Sequence, residues 1–355
     1  GRGNQNSATC GYCGGESLVG LRLLGHPSYR ALCMSLWLLM LVLLLVSVSI
    51  GRGPLDVLQA VRELMAGEIT PGTLVFTELR VPRALLGMFV GASLGLAGAA
   101  MQGLLRNPLA EPGIVGVSGC AALGAVLVFY TGLSGVYAMA LPLGGIAGAL
   151  VAVVLLYLLS GARATLLTVI LAGIAINALA GALTALVLNL APSPFAFLEI
   201  IFWQMGSLSD RSLQHVGLSL PLMLVGWGLL LGAARGLEAL SLGEETAVSL
   251  GVNLGRLRLY VIMGSALAVG SAVAVSGVIG FVGLVVPHLL RPWVDYLPGK
   301  LLPISALGGA ILVLAADILV RLMPTQNELK LGVVTALIGA PFFLWLVYRL
   351  RREMI

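Results

Sequence analysis

The chain is dominated by uninterrupted apolar runs of about 20 residues, each closed by a short polar island. A run such as "LWLLMLVLLLVSVSI" (36–50) has no polar face to offer water. At about 1.5 Å rise per residue, a helical run of ~20 residues covers a hydrocarbon core of ~30 Å. Barrel strands would instead alternate apolar and polar residues with period two. Charged residues make up 10% of the chain and hydrophobic ones 59%, against about 25% charge in soluble domains. Surface grows too steeply with size for a soluble fold of this length to hide so much apolar material. The expected fold class is an all-α polytopic membrane protein.

Spans are expected near 31–50, 84–105, 114–132, 137–160, 166–190, 216–234, 259–276, 278–291, 302–322 and 331–348. Hydropathy alone leaves 259–290 open between one tilted helix and two short ones, since Gly277, Gly280, Gly283 and Pro287 interrupt it. Charge placement favours two. Lys and Arg concentrate in cytoplasmic segments, and ten spans with an inside N-terminus put the basic end "YRLRREMI" (348–355) inside. With nine it falls outside. The +5 formal charge is therefore a topology signal and calls for no nucleic acid. "RVPRALLGMFVGASLGLAGAAMQG" (80–103) echoes "RLRLYVIMGSALAVGSAVAVSG" (256–277), the first starting outside and the second inside. Ten transmembrane helices in two inverted five-helix halves would produce that echo.

Residues 1–30 read as a polar, disordered tail ahead of a single transmembrane domain, 31–355. The tail carries a lone "CGYC" (10–13), and a zinc site needs more ligands than Cys10 and Cys13. Three polar islands remain. The longest inside loop, about 235–258, contains "SLGEETAVSLG" (241–251): Ser241 or Gly243 can open a short helix, Glu244 and Glu245 suit its first turn, and Gly251 ends it. Such a knob suits a cytoplasmic motor, though a plain surface loop has the same composition. In "RNPLAEPG" (106–113), Pro108 and Pro112 stop the preceding helix. Broken backbone near the membrane is tolerated where it packs in protein or lines a cavity, which favours a gate over an idle turn. Outside, Arg80, Arg83 and Arg321 run against the charge bias, as headgroup anchors or as a site for acidic groups of a partner. Asp317 is an acid deep in an expected span. A proton-coupled secondary carrier would use it, but few other polar residues accompany it. With three histidines and no Walker A or HExxH motif, enzyme chemistry is not expected.

Taken together, these islands resemble the permease subunit of type II ABC importers for siderophores, haem and cobalamin. The resemblance covers about 31–350. It rests on "RVPRALLG" (80–87), "NPLAEPGIVGVS" (107–118), "LAGIAINAL" (171–179), "GSLSDRS" (206–212), "LGEETAVSLGV" (242–252), "IGFVGLVVPHLLR" (279–291) and "LGVVTALIGAPFF" (331–343). It implies a homodimer in the bacterial inner membrane with both termini cytoplasmic. It also implies two cytoplasmic ATP-binding subunits that carry ATP and Mg, and a periplasmic substrate-binding protein. The chain itself would hold no cofactor or metal. By the same resemblance, Arg80, Arg83 and Arg321 meet the binding protein, and Asn107, Leu109, Thr165 and Leu166 form the cytoplasmic gate. Asn177, Thr184 and Asn189 line the channel, while Gly243, Glu244, Glu245, Ser249, Leu250 and Gly251 receive the ATPase. "WQMGSLSDRSLQHV" (203–216) and "NELKLGVV" (327–334) look most like haem permeases; ferric siderophore and cobalamin stay open. Met205 and His215 are either transient ligands or an interfacial Met and a loop His.

Overall fold

The computed structural model describes residues 28–51, 55–137, 139–160, 166–191, 193–324 and 328–353. Cys10, Cys13 and Thr165 lie outside them. Every regular element among the described residues is helical. Helix α1 (Tyr29–Ser49) is followed by the short α2 (Val57–Met65). A turn at Pro71–Leu74 and a π-helical stretch, Val75–Arg80, then lead into α3 (Val81–Leu105). There follow α4 (Val117–Tyr130), α5 (Ala140–Ser160), α6 (Leu166–Asn189) and α7 (Pro194–Gln204). Helix α8 (Leu213–Gly232) runs on into α9 (Ala234–Ser241), and α10 (Glu244–Ser249) precedes α11 (Leu254–Ser276). The chain closes with α12 (Val282–Leu290), α13 (Pro298–Leu322) and α14 (Leu331–Glu353).

Eight of the described helices are long and apolar enough to cross a membrane. Two of the ten expected spans are realised as shorter helices, α4 with 14 residues and α12 with 9. At about 1.5 Å per residue even α4 covers only ~21 Å. The reason is that the chain ahead of each is spent on a break in the α-helix, 106–116 with its single 3₁₀ turn (Pro112–Val115) before α4 and 277–281 before α12. The run 259–290 is thus two helices, broken at Gly277. Helix α7 was not expected: its apolar run is short, and Ser193 caps it by accepting the Ala196 N–H (3.2 Å).

Ala- and Gly-rich α3 and α11 are the most enclosed, whereas Leu-rich α1, with α6 and α14, is largely exposed. In lipid, burial of apolar surface does not drive helices together, so small residues that let backbones approach mark the packed faces. Along α3, Gly91 and Gly95 sit one turn apart against α13. A Cβ on Gly91 would come within 2.3 Å of the Gly309 carbonyl, and one on Gly95 within 2.0 Å of the Ser305 carbonyl. Helix α5 packs in turn on α4 and α11, and α8 on α11.

Candidate functional site

Helix α3 ends at Arg106, in the left-handed region (φ 46°). The Asn107 N–H returns to the Gln102 carbonyl (3.2 Å), and Asn107 Oδ1 accepts the Leu109 N–H (2.9 Å). The chain does not then leave the protein. Pro112 is buried, and its ring lies against Gly283, 3.1 Å from where a Cβ on that glycine would sit. Gly283 itself abuts Gly98, seven residues before the end of α3; a Cβ on Gly98 would fall 2.0 Å from the Gly283 carbonyl. The stretch quoted as a gate therefore folds back into the bundle. Its acid meets the second broken segment: Glu111 Oε1 accepts the N–H of Phe281 (2.9 Å). Phe281 is itself left-handed (φ 67°) at the head of α12. Buried Gln102 joins the same place, donating to the Gly283 and Leu284 carbonyls (both 3.3 Å) and accepting from Arg291 Nη2 (2.6 Å).

Between these two breaks and α6 lies a cavity of 590 Å³. Glu111, Ser118, Asn177 and Gly280 supply polar surface, and Leu94, Ile174 and Val269 apolar surface. Asn177 is held close to Gly119, where a Cβ would meet its Oδ1 at 2.3 Å. Thr184, seven residues on, shares its helix face. Asn189 does not join them, and its Nδ2 donates to the Ala185 carbonyl of its own helix (3.0 Å). Of the residues expected at a gate, Asn107 and Leu109 stand at the α3 exit, and Leu166 opens α6.

At the opposite end of α3 the three arginines are engaged internally. Buried Arg80 donates to the carbonyls of Ser49 (2.6 Å) and Val48 (3.3 Å) at the end of α1. Arg83 holds Asp317 at 2.8 Å and pairs also with Glu328. Arg321 holds the other Asp317 oxygen at 2.6 Å and donates to the Ser47 and Ile50 carbonyls (2.7 Å each). Asp317, expected as a lone intramembrane acid, is thus clasped between two guanidinium groups. No short-range signal links α1, α3 and α13, so sequence reasoning missed this network.

The loop after α8 matches its expectation closely. Gly243 (φ 114°) precedes α10, and Glu244 and Glu245 fill the first turn. At its far end the Gly251 N–H returns to Val248 and the Val252 N–H to Ala247, a Schellman arrangement that requires left-handed Gly251 (φ 83°). Ser249 Oγ donates to the Glu245 carbonyl (2.9 Å). Ala247 is buried, leaving Leu242, Val248 and Leu250 exposed on the knob. Met205 ends α7 partly exposed. His215 Nδ1 faces Ser212 Oγ at 3.0 Å and accepts the Ser212 N–H (3.2 Å), which makes it part of the α8 cap.

Compared with known proteins, residues 39–349 match the profile of the FecCD transport family. The chain belongs to the FecCD transport family. It is a membrane permease of the ABC-importer type, and relatives cover nearly its whole length. It is 39% identical over 318 residues to the hemin transport system permease protein HmuU of Yersinia pestis, covering 88% of this chain and 95% of that one. It is 36% identical over 277 residues to the Fe(3+) dicitrate transport system permease protein FecD of Escherichia coli (78% and 86%). It is 39% identical over 275 residues to the vitamin B12 import system permease protein BtuC of Vibrio cholerae (77% and 82%). A solved inward-facing structure assigned to the metal-chelate type of ABC transporter superposes with a TM-score of 0.79 at 34% identity, covering 90% of this chain and 99% of that one. In this FecCD-family chain the matched region takes in both broken segments, the cavity, the arginine network and the α10 knob.

Proposed function

We propose that this permease carries a metal chelate across the bacterial inner membrane, with haem as the substrate. The observation that carries the transport reading is the 590 Å³ cavity enclosed by two broken segments and the Asn177 face of α6. Irregular backbone at membrane depth is tolerated where it packs in protein or lines a water-filled path, and Glu111, Pro112 and Gly280 of these segments line the cavity. Two such chains pair with α6 towards the shared axis, where its exposed Leu167, Leu171 and Ile174 find partners. The two shorter helices α4 and α12 complete ten crossings in two inverted halves, and both termini are cytoplasmic. Two ATP-binding subunits take the α10 knob, through exposed Leu242, Val248 and Leu250. A periplasmic binding protein docks at the end that holds Arg80, Arg83 and Arg321. Asn107 and Leu109, with Thr165 and Leu166, close the cytoplasmic side. Relatives named for hemin, iron citrate and vitamin B12 support a bulky chelate. Haem is chosen for the likeness of 203–216 and 327–334 to haem permeases.

The test is uptake into vesicles that hold the chain with its ATPase and binding protein, run in parallel with haem, a ferric siderophore and cobalamin. ATP-dependent uptake of haem alone supports the full reading. Uptake of another chelate moves the substrate and leaves the importer standing. Uptake driven by a proton gradient without the ATPase would make the chain a secondary carrier, a role that the double clasp on Asp317 disfavours.

A further inference from the structure

Away from the central cavity, a second opening of 320 Å³ lies where α5 ends and α6 and α11 begin. It therefore sits in the layer of helix ends, the level at which a spanning protein meets lipid headgroups. Its wall is apolar, with Val153, Leu156 and Ile262 along its length. Its charged groups are all cationic, beside the polar side chains of Tyr157 and Asn253, the latter turned to the Arg256 N–H. Arg256 and Arg258 line it, and so does Ser160, whose Oγ is buried without a hydrogen-bond partner. Arg258 shares its charge with Glu244, 3.3 Å away on α10. Arg256 is exposed and has no ion pair among the described residues. An apolar slot ending in cationic groups and an unspent hydroxyl is complementary to one ligand class present at that level: an anion with a hydrocarbon tail.

We propose that this cleft binds one anionic phospholipid, its phosphate between Arg256 and Arg258 and one acyl chain along Val153, Leu156 and Ile262. Guanidinium forks suit phosphate oxygens, the Ser160 hydroxyl gains the acceptor it lacks, and basic pockets between membrane helices are a known form of lipid recognition. A soluble phosphate would leave the apolar wall unfilled. A neutral phospholipid would fill the wall but leave Arg256 without a net counter-charge.

The experiment uses the purified full-length chain in mild detergent, titrated with dioleoylphosphatidylglycerol, dioleoylphosphatidylcholine or glycerophosphate, with bound lipid read by native mass spectrometry. Wild type should retain phosphatidylglycerol in preference to phosphatidylcholine and bind glycerophosphate weakly. Each guanidinium removed should weaken phosphatidylglycerol roughly fivefold, so Arg256→Gln with Arg258→Gln should cost roughly 25-fold. Ile262→Trp, which leaves both charges and fills the slot, should lose the lipid as well. If the double variant does not fold, Arg256→Gln alone, at an exposed position, carries the roughly fivefold test. Equal retention of the two lipids, unchanged affinity in the charge variants, or glycerophosphate binding as tightly as phosphatidylglycerol would overturn the proposal. No transport assay enters, so failure here leaves the importer reading untouched.

Discussion

The two ends of α3 both bury polar groups, and they satisfy them in different ways. At its start, Arg83, Asp317, Arg321 and Glu328 form a set of four charges, tied further to the carbonyls of Ser47 and Ile50. At its finish, the Glu111 carboxylate is held by one backbone N–H, from Phe281, and Gln102 bridges α12 with neutral contacts and one to Arg291. Removing one member of a buried ionic set costs about 3–5 kcal/mol, because the remaining charges stay buried. One hydrogen bond to a charged group contributes about 1.5–3 kcal/mol. The bundle is therefore pinned at one end and latched at the other, and the cavity lined by Glu111 lies beside the latch.

The contrast is tested most severely by Asp317→Ala. It leaves Arg83 and Arg321 facing each other without their shared acid, and the purified chain should lose about 3–5 kcal/mol of unfolding stability. A loss under about 1 kcal/mol, the scale of exposed pairs, would mean that the clasp is solvated and the pinned end is not pinned. The same geometry changes what charge reversal at the arginines should do. From sequence, Arg80→Glu together with Arg83→Glu should weaken partner docking and spare expression and assembly. Buried against the Val48 and Ser49 carbonyls, a glutamate at 80 would meet acceptors only, so expression should fall before docking can be measured. Arg83, partly exposed, is the informative position for docking.

Next in size is Gly98→Ala. The added methyl would meet the Gly283 carbonyl at 2.0 Å, and both atoms belong to packed backbone. Overpacking of this kind costs about 1–3 kcal/mol, and the strain falls on the latch, where α12 must shift. Melting should drop, and the Phe281 amide should exchange with solvent faster than the amides of α13. Uniform loss of protection throughout the bundle would show that the two ends are one cooperative unit.

What the sequence made legible follows from range. The eight long helices, the break at Gly277 and the α10 knob with Gly243 and Gly251 are all local, set by hydropathy, glycine dihedrals and caps within a few residues. The clasp joins Arg83 to Asp317 across 234 positions, and the Glu111–Phe281 bond spans 170. Neither leaves a periodic trace. Hence Arg80, Arg83 and Arg321 read as outward-facing, and "RNPLAEPG" as a gate at the cytoplasmic mouth with no partner named for Glu111. The return of Pro112 to Gly283 depends on a glycine in a different helix, which hydropathy cannot weigh. The resemblance grouped Asn177, Thr184 and Asn189 as channel lining; Asn177 and Thr184 share a helix face seven residues apart, and the Asn189 amide is spent on the Ala185 carbonyl of its own helix.

The latch itself is graded by two substitutions. Glu111→Gln keeps an oxygen for the Phe281 N–H and should change stability by about 1 kcal/mol or less. Glu111→Leu removes the acceptor and should cost about 1–3 kcal/mol through the stranded amide. Equal effects from the two would assign the loss to charge or shape at the cavity, and the Phe281 bond would cease to be the latch.

The smallest effect concerns a carboxylate that neighbours the pinned end in sequence but is built like a latch. Glu63, on α2, accepts from Thr70 Oγ1 (2.6 Å) and Gln59 Nε2 (2.7 Å). These two bonds, the Thr70 one foremost, hold it below the ordinary glutamate value of 4.5. A depressed acid stabilises the fold fully above its unfolded value, and that contribution fades as pH falls through the folded one. Glu63→Gln should therefore flatten the acid limb of the unfolding curve slightly and leave the neutral-pH melting point nearly unchanged. Its two partners are uncharged and its side chain faces solvent, so water replaces much of what is lost. Melting curves of wild type, Glu63→Gln and Asp317→Ala from neutral pH down through the carboxylate range make the comparison. If Glu63→Gln lowers the neutral-pH melting point as far as Asp317→Ala does, then burial between guanidinium groups is not what sets the pinned end apart.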